Sequence, residues 1–256
     1  MSISALSKVI ENDQAIVTKI LQLVNSSFYP FRSKIESIPR AVVVLGLNTI
    51  RNAVLSVSLM EAFRSKDDLE QFDIEEFWHH SIAIAATSKH LAEKTRLEIP
   101  DDCFVAGLLH DIGKVILAQY FKGQFTRILE LIRTEHVTFY EAEQRLLPVN
   151  HAEIGGYLAG KWDLPDSLVH AIKYHHWTSD SAANLNLSMI VRMAKLMANQ
   201  CTAESDFELD YSHIDPSALD IVKNSLETAS DWLPEVNEEI ESIREFLLEG
   251  KAAKIS

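Results

Sequence analysis

Phe104-Val-Ala-Gly-Leu-Leu-His110-Asp111-Ile-Gly-Lys114 is an apolar run that ends in three chemical side chains within five residues. Its composition and spacing predict a buried helix from Pro100 to beyond Lys114, with Asp101 and Asp102 at the positive amino end of the helix dipole. Residues three and four apart share a helix face, so Lys114 lies one turn beyond His110 and Asp111, and all three can point into one cavity. Gly107 and Gly113 each cost roughly 1 kcal/mol against Ala within a helix, a penalty that makes sense where a backbone or ligand approaches closely. On these residues alone two readings stand: a chemical site, or a core histidine paired with an aspartate. Lys114 reads equally well as a solvated cation at a helix end.

Working outward, apolar residues recur at three- and four-residue spacing and hairpin dipeptides of the Asn-Gly type are absent. The expected fold is therefore all-α. Ile16, Ile20 and Val24 form one face, which stops at Asn25-Ser26-Ser27 before a looser stretch over 28–31. Pro39 suits a helix start, Gly46 its end, and Asn48 the cap of the next helix, whose Ile50, Val54, Val57 and Phe63 face inward. Asp73 with Glu76 has the capping-box spacing ahead of a helix carrying Phe77, Ile84 and Leu91, and a further helix covers about 125–133. Thr138 with Glu141 and Asn150 with Glu153 repeat that spacing, placing His151 in a first helical turn. Gly155-Gly156 suits tight helix packing. Pro165 opens a helix that ends in Tyr174-His175-His176-Trp177, and another runs over about 187–199 with Ile190, Val191, Ala194 and Met197 inward. After an acidic stretch over 205–211, Asp215-Pro216 and Pro234 open the last two helices, the second with a narrow Val236, Ile240, Ile243 and Leu247 stripe among glutamates.

With 256 residues and 47% apolar content the chain holds one large domain or two small ones. A formal net charge of -13 excludes a broad basic face for DNA or RNA and leaves room for a small anionic ligand in a local pocket. Cys103 and Cys201 form no C-x-x-C pattern and read as packing residues in a reducing cytosol. No signal-peptide pattern opens the chain, and no apolar run is long enough to span a bilayer, so the expectation is a soluble cytoplasmic protein without membrane contact.

The ten histidines fall into groups: His79-His80, His110 beside Asp111, His151, and His175-His176. Imidazole and carboxylate together suit iron, zinc or manganese, and a cavity between bundled helices commonly holds such ions. Glu76 and His80 are four apart and can share a face, although Glu76 also reads as a simple cap. His79 reads as exposed, and His90, His136, His170 and His213 as surface or core residues without a ligand role.

The strings Glu76-Phe-Trp-His-His80-Ser81, Ala106-Gly-Leu-Leu-His110-Asp111-Ile-Gly-Lys114, Asn150-His151-Ala-Glu-Ile-Gly155 and His175-His176 together resemble the HD superfamily of metal-dependent phosphohydrolases. Ile20-Leu-Gln-Leu-Val-Asn25-Ser26, Ile38-Pro-Arg-Ala-Val42 and Leu45-Gly46 resemble, more narrowly, the HDOD family, the HD-related output domains of bacterial signalling proteins. The likeness runs from near residue 4 to about residue 200, and it implies an amino-terminal element that is missing or very short. It implies an HD-superfamily helical bundle with an additional amino-terminal helical subdomain: an amino-terminal part over 1–70, an HD-like core over 71–201 and carboxy-terminal helices over 202–256. By the same likeness a first metal would use His80, His110, Asp111 and a final aspartate. HD-GYP phosphodiesterases, which cleave cyclic di-GMP, add histidines matching His151, His175 and His176, a glutamate matching Glu76 and a lysine matching Lys114. Two departures weigh against hydrolysis: the final aspartate is replaced in Ile190-Val-Arg-Met-Ala-Lys195, and Trp177-Thr-Ser-Asp follows His176 where a Gly-Tyr-Pro segment would stand. The resemblance thus implies a signal-transduction output domain without robust activity, whose pocket takes one divalent ion (iron, manganese or zinc) or a small nucleotide or phosphate ligand. Its partners would be signalling proteins, with a homodimer as one form. The alternative is an active phosphohydrolase or cyclic dinucleotide phosphodiesterase in which Asp111 and Lys114 are catalytic.

Overall fold

In a computed structural model of the chain, which describes residue 10 and residues 13–25, 34–63, 71–176, 185–200 and 216–247, no strand occurs among the described residues. They form helices α1 (Gln14–Val24), α2 (Ile38–Leu45), α3 (Leu47–Ala62), α4 (Ile74–Thr95), α5 (Pro100–Leu109), α6 (Ile112–Tyr120), α7 (Lys122–Glu135), α8 (Phe139–Leu146), α9 (His151–Lys161), α10 (Asp166–Tyr174), α11 (Leu185–Gln200), α12 (Pro216–Glu227) and α13 (Ala229–Leu247). The fold is all-α. The readings made for Ser26, Ser27, 28–31, 177–180, Cys201, 205–211, His213 and Asp215 lie outside the described residues. None of the described helices is, singly, long and apolar enough to cross a membrane.

Side-chain caps write many of these boundaries. Ser37 accepts from the Arg40 backbone N–H with Pro39 in the first turn, and Asp73 accepts from Glu75 and Glu76. Thr138 with Glu141 and Asn150 with Glu153 close reciprocal capping boxes. Asn48 does not cap α3. Gly46, at φ +89°, both ends α2 and opens α3, so the junction is a single residue and Asn48 already lies in the first turn. Pro234 does not open α13 either, because that helix begins at Ala229 and carries the proline inside it. The bond Pro234 cannot donate would go to the carbonyl of Ser230, an exposed residue whose oxygen can turn to water.

The chain divides into two compact units, residues 1–65 with 230–256 and residues 66–229. In the first, α1, α2 and α3 pack on one another, burying Ile20, Leu23, Val24, Ile38, Val42, Ile50 and Val57. The Asn25 side chain braces this unit: its amide donates to the Leu21 and Ile35 carbonyls and its oxygen accepts from the Ile35 N–H. On α13, Trp232, Val236, Ile240 and Ile243 are buried.

The second unit is built on α4 and α5. Residues 103–109 of α5 are buried throughout, and α4 is buried on most sides, which is the signature of helices at the centre of a bundle. Around them α9 packs on α6 and α10, α10 on α11, α7 on α8, and α11 and α12 on α4. Two glycines set the closest approaches to neighbouring backbone. A Cβ on Gly107 would lie 2.8 Å from Ala85 Cα, and one on Gly113 would lie 2.0 Å from the His151 carbonyl oxygen. The helix expected to run unbroken from Pro100 past Lys114 instead stops at Leu109 and restarts at Ile112, with Asp111 at φ -101°, ψ 9°. Neighbouring residues on one straight helix point about 100° apart, so the break lets His110 and Asp111 turn toward a common centre.

Gly113→Ala should lower the unfolding free energy by about 2 kcal/mol or more, because backbone rather than a flexible side chain stands in the way. Gly160→Ala, where nothing lies within 4 Å, should leave stability unchanged or raise it by up to about 1 kcal/mol. Urea unfolding of the two variants checks this; equal effects would remove the packing argument.

Candidate functional site

Asp111, 1% exposed, is the centre of a buried polar cluster in the second unit. Its Oδ1 faces His151 Nε2 at 3.0 Å and His175 Nε2 at 3.2 Å, while its Oδ2 faces His110 Nε2 at 3.2 Å. Two ammonium groups close on the same carboxylate. Lys114 Nζ is 2.6 Å from Oδ2, and Lys195 Nζ is 3.2 Å from Oδ1 and 3.4 Å from Oδ2. Lys114 lies on the same carboxylate as His110, a placement its spacing allowed, although a helix start rather than a continuous helix brings it there. Its ammonium also lies 5.0 Å above the Phe139 ring.

The ligand atoms converge in two groups that share Asp111: Asp111 with His151, His175 and His176, and Asp111 with His80 and His110. Within each group these atoms all lie within 4.8 Å of one another. His80 ring centroid is 5.9 Å from that of His110, and His176 Nε2 is 3.0 Å from His151 Nε2. Glu76 is exposed in the first turn of α4 and belongs to neither group. His79 is half-buried, His90 is buried, His170 is half-buried, and exposed His136 adopts the left-handed conformation that ends α7.

The tautomers can be read from the acceptors. His110 Nδ1–H donates to the Gly107 carbonyl at 2.7 Å and His175 Nδ1–H to the Ile172 carbonyl at 2.8 Å, since a carbonyl can only accept. Burial, only partly offset by Asp111, pushes the His110 imidazole below its ordinary value. Burial first, and then Lys195, does the same to His175. In the neutral form of either ring the lone pair therefore lies on Nε2. Those two nitrogens are buried, make no hydrogen bond, and point at the Asp111 carboxylate. A neutral ring there faces Asp111 acceptor to acceptor, which is unfavourable in a buried place unless a cation lies between them, so the donor set at Asp111, His151, His175 and His176 fits a divalent ion.

Burial alone would raise the Asp111 carboxyl, but His110, Lys114, Lys195 and His151 outweigh it and hold the carboxyl well below the usual range. Burial and the proximity of His110 push His80 down to about 3. His176 is lowered by burial and then by Lys195. Burial lowers Lys195 itself to about 8 against the pull of Asp111.

Sequence reasoning placed the start of α8 but missed its part in the site. Glu143, fully buried, accepts the His151 backbone N–H at 2.8 Å and faces His151 Nδ1 at 2.5 Å. Tyr140 stacks on the His176 ring at 4.2 Å, and Phe139 meets His151 edge-on at 5.7 Å. The available signal was a glutamate in the stripe Phe139, Ala142, Glu143 and Leu146, where helical spacing calls for an apolar residue.

A family model for the HDOD domain matches residues 1–178. An uncharacterized protein of Treponema pallidum (strain Nichols) is 27% identical over 177 residues, which are 69% of this chain and 34% of that protein, so the chain spans about a third of its relative. An HDOD domain protein of unknown function from Geobacter sulfurreducens has a TM-score of 0.75 at 26% identity, over 96% of this chain and 86% of that one. A Shewanella amazonensis SB2B protein provisionally named a phosphohydrolase reaches 0.76 at 23% identity, over 96% and 87% of the two chains. A Marinobacter aquaeolei VT8 protein provisionally named for signal transduction reaches 0.72 at 21%, over 96% of this chain and 55% of that one. At such identities the last two likenesses establish the fold alone.

Asp111→Asn would leave the two ammonium groups facing a neutral amide. With chelator present, the substitution should cost about 3 kcal/mol of unfolding free energy. Adding Lys195→Met should return part of that loss, because it removes a cation that has lost its partner. Strictly additive losses in urea titrations would show that the lysine does not depend on Asp111.

Proposed function

Because this chain belongs to the HDOD domain family, we propose that it is an output module of bacterial signal transduction, acting through contacts with signalling proteins rather than through turnover. Its His/Asp pocket, carried by the 71–201 region, binds one divalent metal ion or a small anionic ligand. The observation that carries this reading is Lys195, whose ammonium sits on both oxygens of the carboxylate that the two ligand groups share. A unit charge about 4 Å from another contributes roughly 4 kcal/mol at an effective dielectric of 20, so the lysine opposes a divalent ion at that distance by up to about twice as much. Among the described residues the His80, His110 and Asp111 group offers three ligands, and the lysine lies on the carboxylate of that group, so a second ion is disfavoured there. In the other group four ligands remain, and these residues do fit one.

When bound, a divalent ion supplies Lewis acidity toward a phosphoryl oxygen. Around it this chain contributes Asp111, His151, His175 and His176 as ligands, and Lys114 as a partly exposed ammonium able to hold a phosphate. That surviving set, with Lys114 in place, favours the second reading of an active phosphohydrolase or cyclic dinucleotide phosphodiesterase. Against it stands the loss of a second cation, which would otherwise clamp both the attacking and leaving oxygens of an in-line displacement.

Metal per chain and cyclic dinucleotide turnover should be measured for the natural protein and for Lys195→Asp. The expected result is at most one ion per chain with negligible turnover in the natural protein, and a gain of bound metal in the variant. Two ions with brisk turnover in the natural protein would overturn the regulatory reading.

A further inference from the structure

The imidazoles around Asp111 differ in what stands behind them. His110 and His175 each donate their rear N–H to a backbone carbonyl. His151 instead has a buried carboxylate, and Glu143 uses both of its oxygens on this one residue, Oε1 on the backbone N–H and Oε2 on Nδ1. A carboxylate behind an imidazole fixes the ring orientation and strengthens the opposite nitrogen as a donor. The same helix also holds His176, because Tyr140 lies flat on its ring with an interplanar angle of 12°. Glu143 and Tyr140 therefore restrain two of the four ligands in the His151 group. Phe139, a turn before Glu143, joins Phe125 in the apolar cluster around Leu117 and Ala118, so α8 is itself anchored to α6 and α7.

We infer that Glu143 is the positioning residue of this pocket, and that through it α8 directs a single divalent ion to Asp111, His151, His175 and His176 rather than to His80, His110 and Asp111. The inference rests on the reading that the pocket takes an ion. It adds which residue outside the ligand set decides between the two groups. Glu143 touches no ion in this scheme; it acts on the ring that does.

The experiment is a titration of the full chain with cobalt(II), followed by calorimetry and by the visible absorption of the bound ion, which reports its ligand geometry. Glu143→Gln keeps the side chain's size but offers one acceptor where His151 needs two. Its cobalt affinity should fall roughly 10- to 100-fold with a changed absorption spectrum. His80→Ala should leave both affinity and spectrum as they are, and His176→Ala should change both. Unchanged affinity and spectrum in Glu143→Gln, or a loss in His80→Ala as large as that in His176→Ala, would overturn the inference while leaving the ion-binding reading intact. No cobalt binding by the natural protein would overturn the ion-binding reading and the inference with it. If Glu143→Gln does not fold, the comparison of His80→Ala with His176→Ala still decides which group holds the ion.

Discussion

The pocket is organised by one buried carboxylate. Asp111 faces the Nε2 atoms of His110, His151 and His175 and the ammonium groups of Lys114 and Lys195. A lone carboxylate in an apolar interior would be strongly disfavoured, and it persists ionised here because the Lys114 and Lys195 ammonium groups close on it. Both candidate ligand groups include it, so a charge placed on one side of the carboxylate is felt by the other. Lys195 is such a charge. An ammonium within 3.4 Å of both oxygens satisfies part of the demand for positive charge that a second ion would otherwise meet.

The surrounding bundle converts that electrostatic demand into geometry. The break between α5 and α6 turns two consecutive residues inward, where a straight helix would separate them. Gly113 lets the start of α6 approach the first turn of α9 at backbone distance, and that approach brings His151 to the same carboxylate as His110. Helix α8 then fixes His151 from behind through Glu143 and His176 from the side through Tyr140. Each of these devices spends local stability or burial on a specific direction of a side chain, a pattern expected where structure serves a site.

Much of this was legible in the chain itself. The three-and-four spacing specified an all-α fold, and the Asp73, Thr138 and Asn150 caps marked helix starts that the structure places at the same residues. The glycines at 107 and 113 announced close approach, and helix backbones supply it. What could not be read was the break at His110-Asp111, because a turn made by two residues that also suit a helix leaves no propensity signal. Asn48 and Pro234 misled for a related reason: each suits a helix start, and each lies inside a helix whose start another residue provides. Glu143 was hidden by its neighbour. Glu141 completed the expected capping box and explained the acidic character of the segment, so the second glutamate, on the inward face, drew no notice. The likeness to the HDOD family covered His80, His110, Asp111, His151, His175 and His176, yet the replacement at Lys195 acquires meaning only from its distance to Asp111.

The central claim is that Asp111 supports one divalent ion on the His151 side, with the Lys195 ammonium taking the place of another. The most direct measurement is the anomalous scattering of a cobalt- or zinc-soaked crystal of the natural protein. The account predicts a single peak at about 2.0–2.1 Å from the Nε2 atoms of His151 and His175. Two peaks sharing Asp111, or one peak seated between His80 and His110, would contradict it.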